Sequence, residues 1–287
     1  LNKLTMLNNI SLKFLKPKKL SFNNSKIYPK NNEVVIEVKS CGICGSDLKI
    51  YNKGSKRVKK NRIMGHEISG KILSSPKSQN FFPKDFNIAL GADIDNKKDF
   101  ALGHEIDGGF QKYLKINYKL LRKIPHYITK KKVDYDTFAI TEPLACCLNG
   151  LEQMDFKSNK NVLIYGSGSI GQLIAKLSVL YRSKKIFLID TDLFKLNHGT
   201  KDSKIKKLKL NNYKKKIQKM LISEKIDYIF VACSSKKAQK EALEVADYGA
   251  KINFFAGLPK KDSLDKKIQI DTNLIHYKQL KVVGSHG

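Results

Sequence analysis

The chain has 287 residues, enough for two domains with cores of their own, and 41% of its residues are apolar. No stretch approaches 18 uncharged apolar residues, which excludes a membrane-spanning helix, and the first twenty residues lack the continuous apolar stretch of a signal peptide. We therefore expect a cytoplasmic protein with no membrane partner.

The formal net charge of +29 is the feature that would suggest a nucleic-acid partner. The lysines, however, are scattered through every segment, and no basic stripe interleaved with aromatic residues accompanies them. We interpret the charge as compositional drift and expect no nucleic-acid partner. A basic nucleic-acid-binding protein built on a Rossmann core stays as the alternative from a different functional class.

The five cysteines are odd in number and two of them are neighbours, which argues against a disulfide framework. Reduced thiols leave metal ligation as the open role for Cys41 or Cys44.

The first 120 residues predict a β-rich domain with long loops. Residues 33–39 alternate and are β-branched, which predicts a strand, and the CGICGSD segment that follows predicts a tight turn at its glycines. Residues 63–73 predict an interrupted strand, 74–109 an irregular segment and 110–118 another alternating strand.

The pattern changes near residue 134, where helical apolar spacing begins around Pro143. From residue 161 onward, short apolar strands alternate with amphipathic helices, including a lysine-rich helix predicted over 204–219. Strands separated by helices of this length indicate βαβ units and a parallel sheet.

A glycine-rich loop follows the first of these strands and opens a helix. Gly166 allows the tight turn, Gly168 lets a pyrophosphate approach the backbone, and Gly171 lets the helix pack on the strand. The helix N-terminus at Ser169 and Ile170 offers N–H groups to phosphate oxygens. This context predicts a dinucleotide site, the alternative being a glycine-rich turn that binds no ligand.

The second strand of this domain ends in Asp190, 19 residues after Gly171. A carboxylate there accepts hydrogen bonds from an adenosine ribose and repels a 2′-phosphate, and Asp192 adds to the repulsion. We therefore expect NAD rather than NADP.

Several side chains could hold a metal, but their spacing does not choose among them. A catalytic zinc ion needs about three protein ligands and an open position. Buried thiols and a hydrogen-bonded core histidine are the alternative interpretation. The candidates are Cys41, Cys44, His66, Glu67, Glu142, Cys146 and Cys147.

Four motifs in order resemble the zinc-containing medium-chain alcohol dehydrogenase family. They are residues 39–47 (KSCGICGSD), the GHE motif at 65–67 with Gly70, the EPLA motif at 142–145, and the glycine loop. The EPLACCLNGL run and the NLIHYKQLKVVGS tail are most similar to the sorbitol/iditol (polyol) dehydrogenase branch.

The resemblance implies an α/β protein of two domains. A GroES-like β-rich catalytic domain would cover 1–140, and a Rossmann domain with a doubly wound parallel sheet would bind NAD over 141–275. Residues 276–287 would begin a C-terminal return segment. Because the chain opens at Leu1 and stops after an apolar strand, we expect the natural protein to continue beyond Gly287.

The resemblance also implies one catalytic zinc ion and assigns a role to each site residue. The site would consist of Cys44 as the thiolate ligand, His66 as the imidazole ligand, Glu67 and Glu142 as carboxylates holding the metal directly or through its water, and Ser46 as the hydroxyl that receives the substrate proton. The other thiols, those of Cys41, Cys146, Cys147 and Cys233, would be core residues.

Two departures from the family pattern modify these expectations. No cysteine lies between the GHE motif and Gly108-Gly109-Phe110, so we expect no second, structural zinc. Lys49 stands where some members have a proton-relay histidine, which leaves the exit path of the proton open.

The expected function is oxidation of a polyol or secondary alcohol by a zinc-dependent oxidoreductase with NAD as hydride acceptor. An amino-alcohol or sugar-phosphate dehydrogenase of the same fold is the alternative within the family, and a catalytically inactive relative is a further one. We expect a small-molecule substrate and a homo-oligomer, either a dimer or a tetramer.

Overall fold

The computed structural model describes residues 6–76, 81–95, 100–209, 224–258 and 267–285. The chain divides into two compact units, Leu1–Pro143 and Leu144–Gly287. The division lies three residues beyond the boundary predicted at 140/141. Within the described residues, no helix is long and apolar enough to cross a membrane.

The first unit is built on antiparallel strands, as the β-rich prediction requires. The strands are β1 (Leu7–Lys16), β2 (Lys19–Ile27), β3 (Glu33–Gly42), β4 (Arg62–Ile63), β5 (Glu67–Ser74), β6 (Asn87–Leu90), β7 (Asp93–Asp95), β8 (Phe100–Ala101), β9 (Tyr113–Asn117) and β10 (His126–Thr129). The larger sheet has the order β10-β6-β5-β3-β9, a smaller sheet has the order β2-β1-β4, and β7 pairs with β8 in a two-stranded sheet.

Two local predictions in this unit were wrong. The segment predicted as a tight turn at CGICGSD starts helix α1 (Gly45–Lys53), because the Asp47 carboxylate accepts a hydrogen bond from the Cys44 backbone N–H at 3.0 Å and caps the first turn. The segment 74–109 also contains the fully buried strand β6, whose four residues, three of them apolar, are too few for a periodicity to show.

Short helices follow β9 and lead to the second unit. They are α2 (Tyr118–Leu121), α3 (Tyr135–Ala139) and α4 (Thr141–Glu152). Pro143 lies in the first turn of α4, where its missing N–H costs no hydrogen bond.

The second unit carries a six-stranded parallel sheet of order β13-β12-β11-β14-β15-β16, and this confirms the predicted Rossmann fold. The order reverses between β11 and β14, which makes a crevice at their carboxyl ends. The strands are β11 (Asn161–Tyr165), β12 (Lys185–Asp190), β13 (Ile205–Lys209), β14 (Tyr228–Val231), β15 (Lys251–Phe254) and β16 (Lys281–Gly284). The helices are α5 (Ser169–Leu180), α6 (Leu193–His198), α7 (Lys236–Val245) and α8 (Thr272–Tyr277).

Two segments of this unit differ from the sequence predictions. Residues 205–209 form strand β13 instead of the predicted helix, because they pair in parallel with β12 at the edge of the sheet; residues 210–219 of that helix lie outside the described part of the chain. Residues 281–284, assigned to a return segment, instead pair with β15 as the last strand of this sheet.

Candidate metal and dinucleotide sites

A cluster of three metal-ligating side chains lies in the first unit. Ligand atoms of Cys44, His66 and Glu67 all lie within 4.8 Å of one another. Cys44 caps the N-terminus of α1, while His66 and Glu67 lie at the start of β5, which pairs with the end of β3 that leads into α1. This pairing brings residues more than twenty positions apart in sequence to one point.

Asp47 lies behind the imidazole of His66 and was not assigned a role from the sequence. It is 2% exposed, and its Oδ1 atom lies 3.8 Å from His66 Nδ1. Both atoms are buried and make no hydrogen bond to any residue that the structure describes. A carboxylate behind the imidazole is the usual second partner of a zinc-ligating histidine, because it orients the ring and frees the other nitrogen for the metal. The donor set and its support therefore fit a zinc ion.

Ser46 and Glu142 are the other predicted site residues of this unit. The hydroxyl of Ser46 lies 3.5 Å from His66 Nε2. Glu142, at the start of α4, is not one of the three clustered ligands, although its negative charge acts on His66. Lys49 is exposed on α1.

The charges around His66 favour its cationic form. Burial acts to lower the pKa of His66, but the Cys44 side chain, Asp47 and Glu142 outweigh it and raise the pKa to about 9. Burial raises the pKa of Glu67, with the charge of His66 opposing it. A zinc ion bound here would therefore replace a proton and satisfy the same negative groups.

The remaining thiols occupy other environments. Cys41 packs beside Gly65 and Gly109, and burial raises its pKa above its ordinary value, so it holds a neutral thiol. Cys147 is fully buried in the core of the second unit, and Cys233 packs at the edge of another core cluster. All five cysteines are free of disulfides.

His104 is a second residue near the cluster that the sequence analysis missed. Its ring centroid lies 5.5 Å from that of His66, and burial, with the charges of His66 and Arg57, lowers its pKa to about 4. A second Gly-His-Glu triplet at 103–105 is the only pattern in the sequence that marks it.

The glycine loop of the second unit has the geometry that the motif predicts. Gly166 has a φ of +98°, a left-handed conformation that favours glycine, and a side chain at Gly171 would overlap the Gly166 carbonyl. Gly168 is the N-cap of α5, and neither it nor Ser169 is buried. The first-turn N–H groups of Ser169 and Ile170 are therefore placed at an open helix N-terminus, a position that suits an anion such as a phosphate.

Asp190 lies at the carboxyl end of β12 and is tied to this loop. Its Oδ2 accepts hydrogen bonds from Ser167 N at 2.7 Å and Ser167 Oγ at 3.1 Å, and its Oδ1 accepts from Asp192 N at 2.9 Å. Burial acts to raise the pKa of Asp190, but these bonds lower it, so the side chain is anionic at neutral pH. Asp192 itself caps α6 through the N–H of Phe194.

Comparison with known proteins gives one family-model match and a consistent set of relatives. Residues 30–126 match the alcohol dehydrogenase GroES-like domain. The chain is 28% identical over 279 residues to an uncharacterized zinc-type alcohol dehydrogenase-like protein of Haemophilus influenzae, covering 90% of this chain and 78% of that protein. It is 28% identical over 165 residues to a sorbitol dehydrogenase of Halalkalibacterium halodurans, covering 52% of this chain and 46% of the relative.

Solved structures show the same fold at lower identity. A zinc-binding dehydrogenase from Sinorhizobium meliloti, solved with NADP, has a TM-score of 0.81 at 20% identity and covers 97% of this chain and 84% of its own. An alcohol dehydrogenase from Escherichia coli, solved with NADH, has a TM-score of 0.80 at 22% identity, covering 98% of this chain and 84% of its own. These structures confirm the predicted fold class.

Proposed function

We propose that this chain belongs to the zinc-containing medium-chain alcohol dehydrogenase family, oxidises a polyol or another secondary alcohol, and passes the hydride to NAD. The observation that carries the proposal is the cluster of Cys44, His66 and Glu67 with the Asp47 carboxylate behind the imidazole. Three protein ligands of mixed chemistry are typical of catalytic zinc, which keeps a position open, whereas structural zinc has four.

When bound, the zinc ion would act as a Lewis acid toward the alcohol oxygen, and the nicotinamide ring would accept the hydride. Asp47 would hold the His66 ring by accepting a hydrogen bond from Nδ1. The Ser46 hydroxyl would accept the proton of the substrate alcohol. Because a lysine ammonium has no acceptor, we propose that the proton passes from Ser46 to water and not through Lys49.

The preference for NAD over NADP rests on Asp190. Its ionised carboxylate can accept hydrogen bonds from the adenosine ribose hydroxyls, and it would repel a 2′-phosphate. Cofactors of both kinds occur among the solved neighbours, so the proposal depends on this side chain alone.

Two alternative functions predict different results for the same purified protein. An amino-alcohol or sugar-phosphate dehydrogenase would reduce NAD only with those substrates. A nucleic-acid-binding protein would be retained on DNA in a salt-sensitive manner and would bind neither zinc nor NAD.

The decisive experiment combines zinc analysis with NAD reduction over a panel of polyols, secondary alcohols, amino alcohols and sugar phosphates. The wild type should hold about one zinc ion per chain, as three ligands around one position require. Cys44→Ala should lose both zinc and turnover. Cys41→Ala is the matched control, because its thiol is three residues away but packs elsewhere, and it should keep the zinc. Zinc retained by Cys44→Ala and lost by Cys41→Ala would refute this ligand assignment.

A further inference from the structure

A cavity of about 230 Å³ lies at the carboxyl end of the parallel sheet in the second unit. The ends of β11, β12 and β14 form one side of it, and helix α7 forms the other. Asp190 lies in its wall, next to the turn that begins at Gly166. The cavity is several times the ~30 Å³ that one water molecule occupies in the liquid, so it has room for a planar heterocycle.

Two buried polar side chains line this cavity, and neither is used by the site described above. Tyr165, the last residue of β11, is 1% exposed, and Glu241, on α7, is 4% exposed. The Tyr165 hydroxyl and Glu241 Oε1 make no hydrogen bond to any residue in the described part of the chain. The Lys237 ammonium lies 3.8 Å from Glu241 Oε1, beyond hydrogen-bond length.

A buried carboxylate oxygen without a hydrogen bond is costly, and buried polar groups in native proteins nearly always have partners. Burial and the nearby charge of Glu244 raise the pKa of Glu241 to about 7. Burial also raises the pKa of the Tyr165 phenol, with Glu241 adding to the effect. Burial therefore penalises the charged form of both groups, in agreement with their unbonded oxygen atoms.

We propose that Glu241 and Tyr165 recognise the amino edge of the adenine base of the dinucleotide. This inference rests on the proposed function: with the pyrophosphate on the glycine loop and the ribose at Asp190, the base attached to that ribose enters the cavity that Asp190 lines. Adenine presents an exocyclic amino group, which is a donor, beside ring nitrogens, which are acceptors. The Glu241 carboxylate accepts from the amino group, and the Tyr165 hydroxyl donates to the ring nitrogen N7.

A comparison of NAD with its hypoxanthine analogue tests the inference. The analogue replaces the amino donor with a carbonyl acceptor and puts a hydrogen on N1, and it leaves N7, the ribose, the phosphates and the nicotinamide unchanged. The measurement is the dissociation constant of each dinucleotide by titration calorimetry on the unreacted protein. The wild type should bind NAD about tenfold more tightly than the analogue, which corresponds to about 1.4 kcal/mol.

Glu241→Gln should bring the two dissociation constants close to each other, because a carboxamide can accept from an amino group or donate to a carbonyl. Tyr165→Phe should weaken the binding of both dinucleotides, since N7 is an acceptor in both bases. Glu244→Gln is the matched control: it removes one charge from the same helix outside the cavity lining, and it should keep the tenfold preference. A melting curve of each variant shows whether it is folded.

The outcomes separate this inference from the proposed function. Equal binding of NAD and the analogue by the wild type would overturn the role of Glu241 and leave NAD binding intact. A tenfold preference that survives in Glu241→Gln would overturn it as well. A wild type that binds neither dinucleotide would overturn the inference together with the proposed use of NAD.

Discussion

Replacement of Asp190 tests whether this carboxylate holds the glycine loop as well as the cofactor. Asp190→Ala removes the acceptor of the Ser167 backbone N–H, and Ser167 is 2% exposed. A buried N–H left without a partner costs about 1–3 kcal/mol. The bond to Asp192 N adds little, because that residue is partly exposed and water can replace the carboxylate. We therefore expect a loss of about 2 kcal/mol in the free energy of unfolding.

For a unit of this size, a loss of that magnitude lowers the melting temperature by roughly 6–10 °C, which circular dichroism of the cofactor-free protein can measure. Asp190→Asn keeps one acceptor oxygen for Ser167 and should lose about half as much. Because hydrogen bonds lower the pKa of Asp190, its ionised form stabilises the fold above its ordinary value of 3.8, and this contribution is lost as the pH falls below that value. The difference between wild type and Asp190→Asn should shrink accordingly in acid.

A matched control is Asp192→Ala, which removes the N-cap of α6 and should cost about 1 kcal/mol. A melting temperature of Asp190→Ala within about 2 °C of the wild type would refute the structural role of the carboxylate. Any loss of NAD affinity in that variant would then be due to the ribose contact alone.

Three further predictions concern the metal ligand, the loop and the cavity. Because the pKa of His66 is about 9, zinc binding near pH 7.5 should release a proton, measurable as a buffer-dependent heat in titration calorimetry; the same heat in all buffers would contradict this. Gly171→Ala should lower stability by about 1–3 kcal/mol in urea unfolding and abolish NAD binding, because its methyl group overlaps a loop carbonyl; unchanged values would show that the loop can shift. The pKa of Glu241 rises from 4.5 to about 7 on folding, so its protonated form stabilises the fold below pH 4.5 and this stability is lost as the pH rises to about 7; Glu241→Gln should lack that loss in pH-dependent melting.

The candidate dinucleotide site could be predicted from the sequence because its determinants are local. The loop glycines, the helix they open and Asp190 at the end of the next strand all follow from a strand, a turn and a helix that are consecutive in the chain. Parallel pairing of apolar strands separated by helices leaves few arrangements of the sheet. The edge strand β13 was predicted as a helix, because its lysine-rich sequence does not indicate a strand and only its pairing with β12 makes it one.

The candidate metal site could not be located without the fold, because its ligands come from elements that are distant in sequence. Spacing alone left Cys41 and Cys44 equivalent, and the family resemblance chose between them. The antiparallel pairing of β3 with β5 brings Cys44 to His66 and Glu67, while Cys41 turns toward Gly65 and Gly109.

The buried carboxylates could not be identified from the sequence either. Asp47 and Glu241 belong to helices whose sequences resemble ordinary polar surfaces. Packing places Asp47 behind an imidazole and Glu241 in the wall of a cavity, and it leaves one buried oxygen of each carboxylate without a hydrogen bond to any described residue. The sequence determines which side chains are ionisable, but the free energy of burying a charge depends on neighbours that only long-range packing supplies.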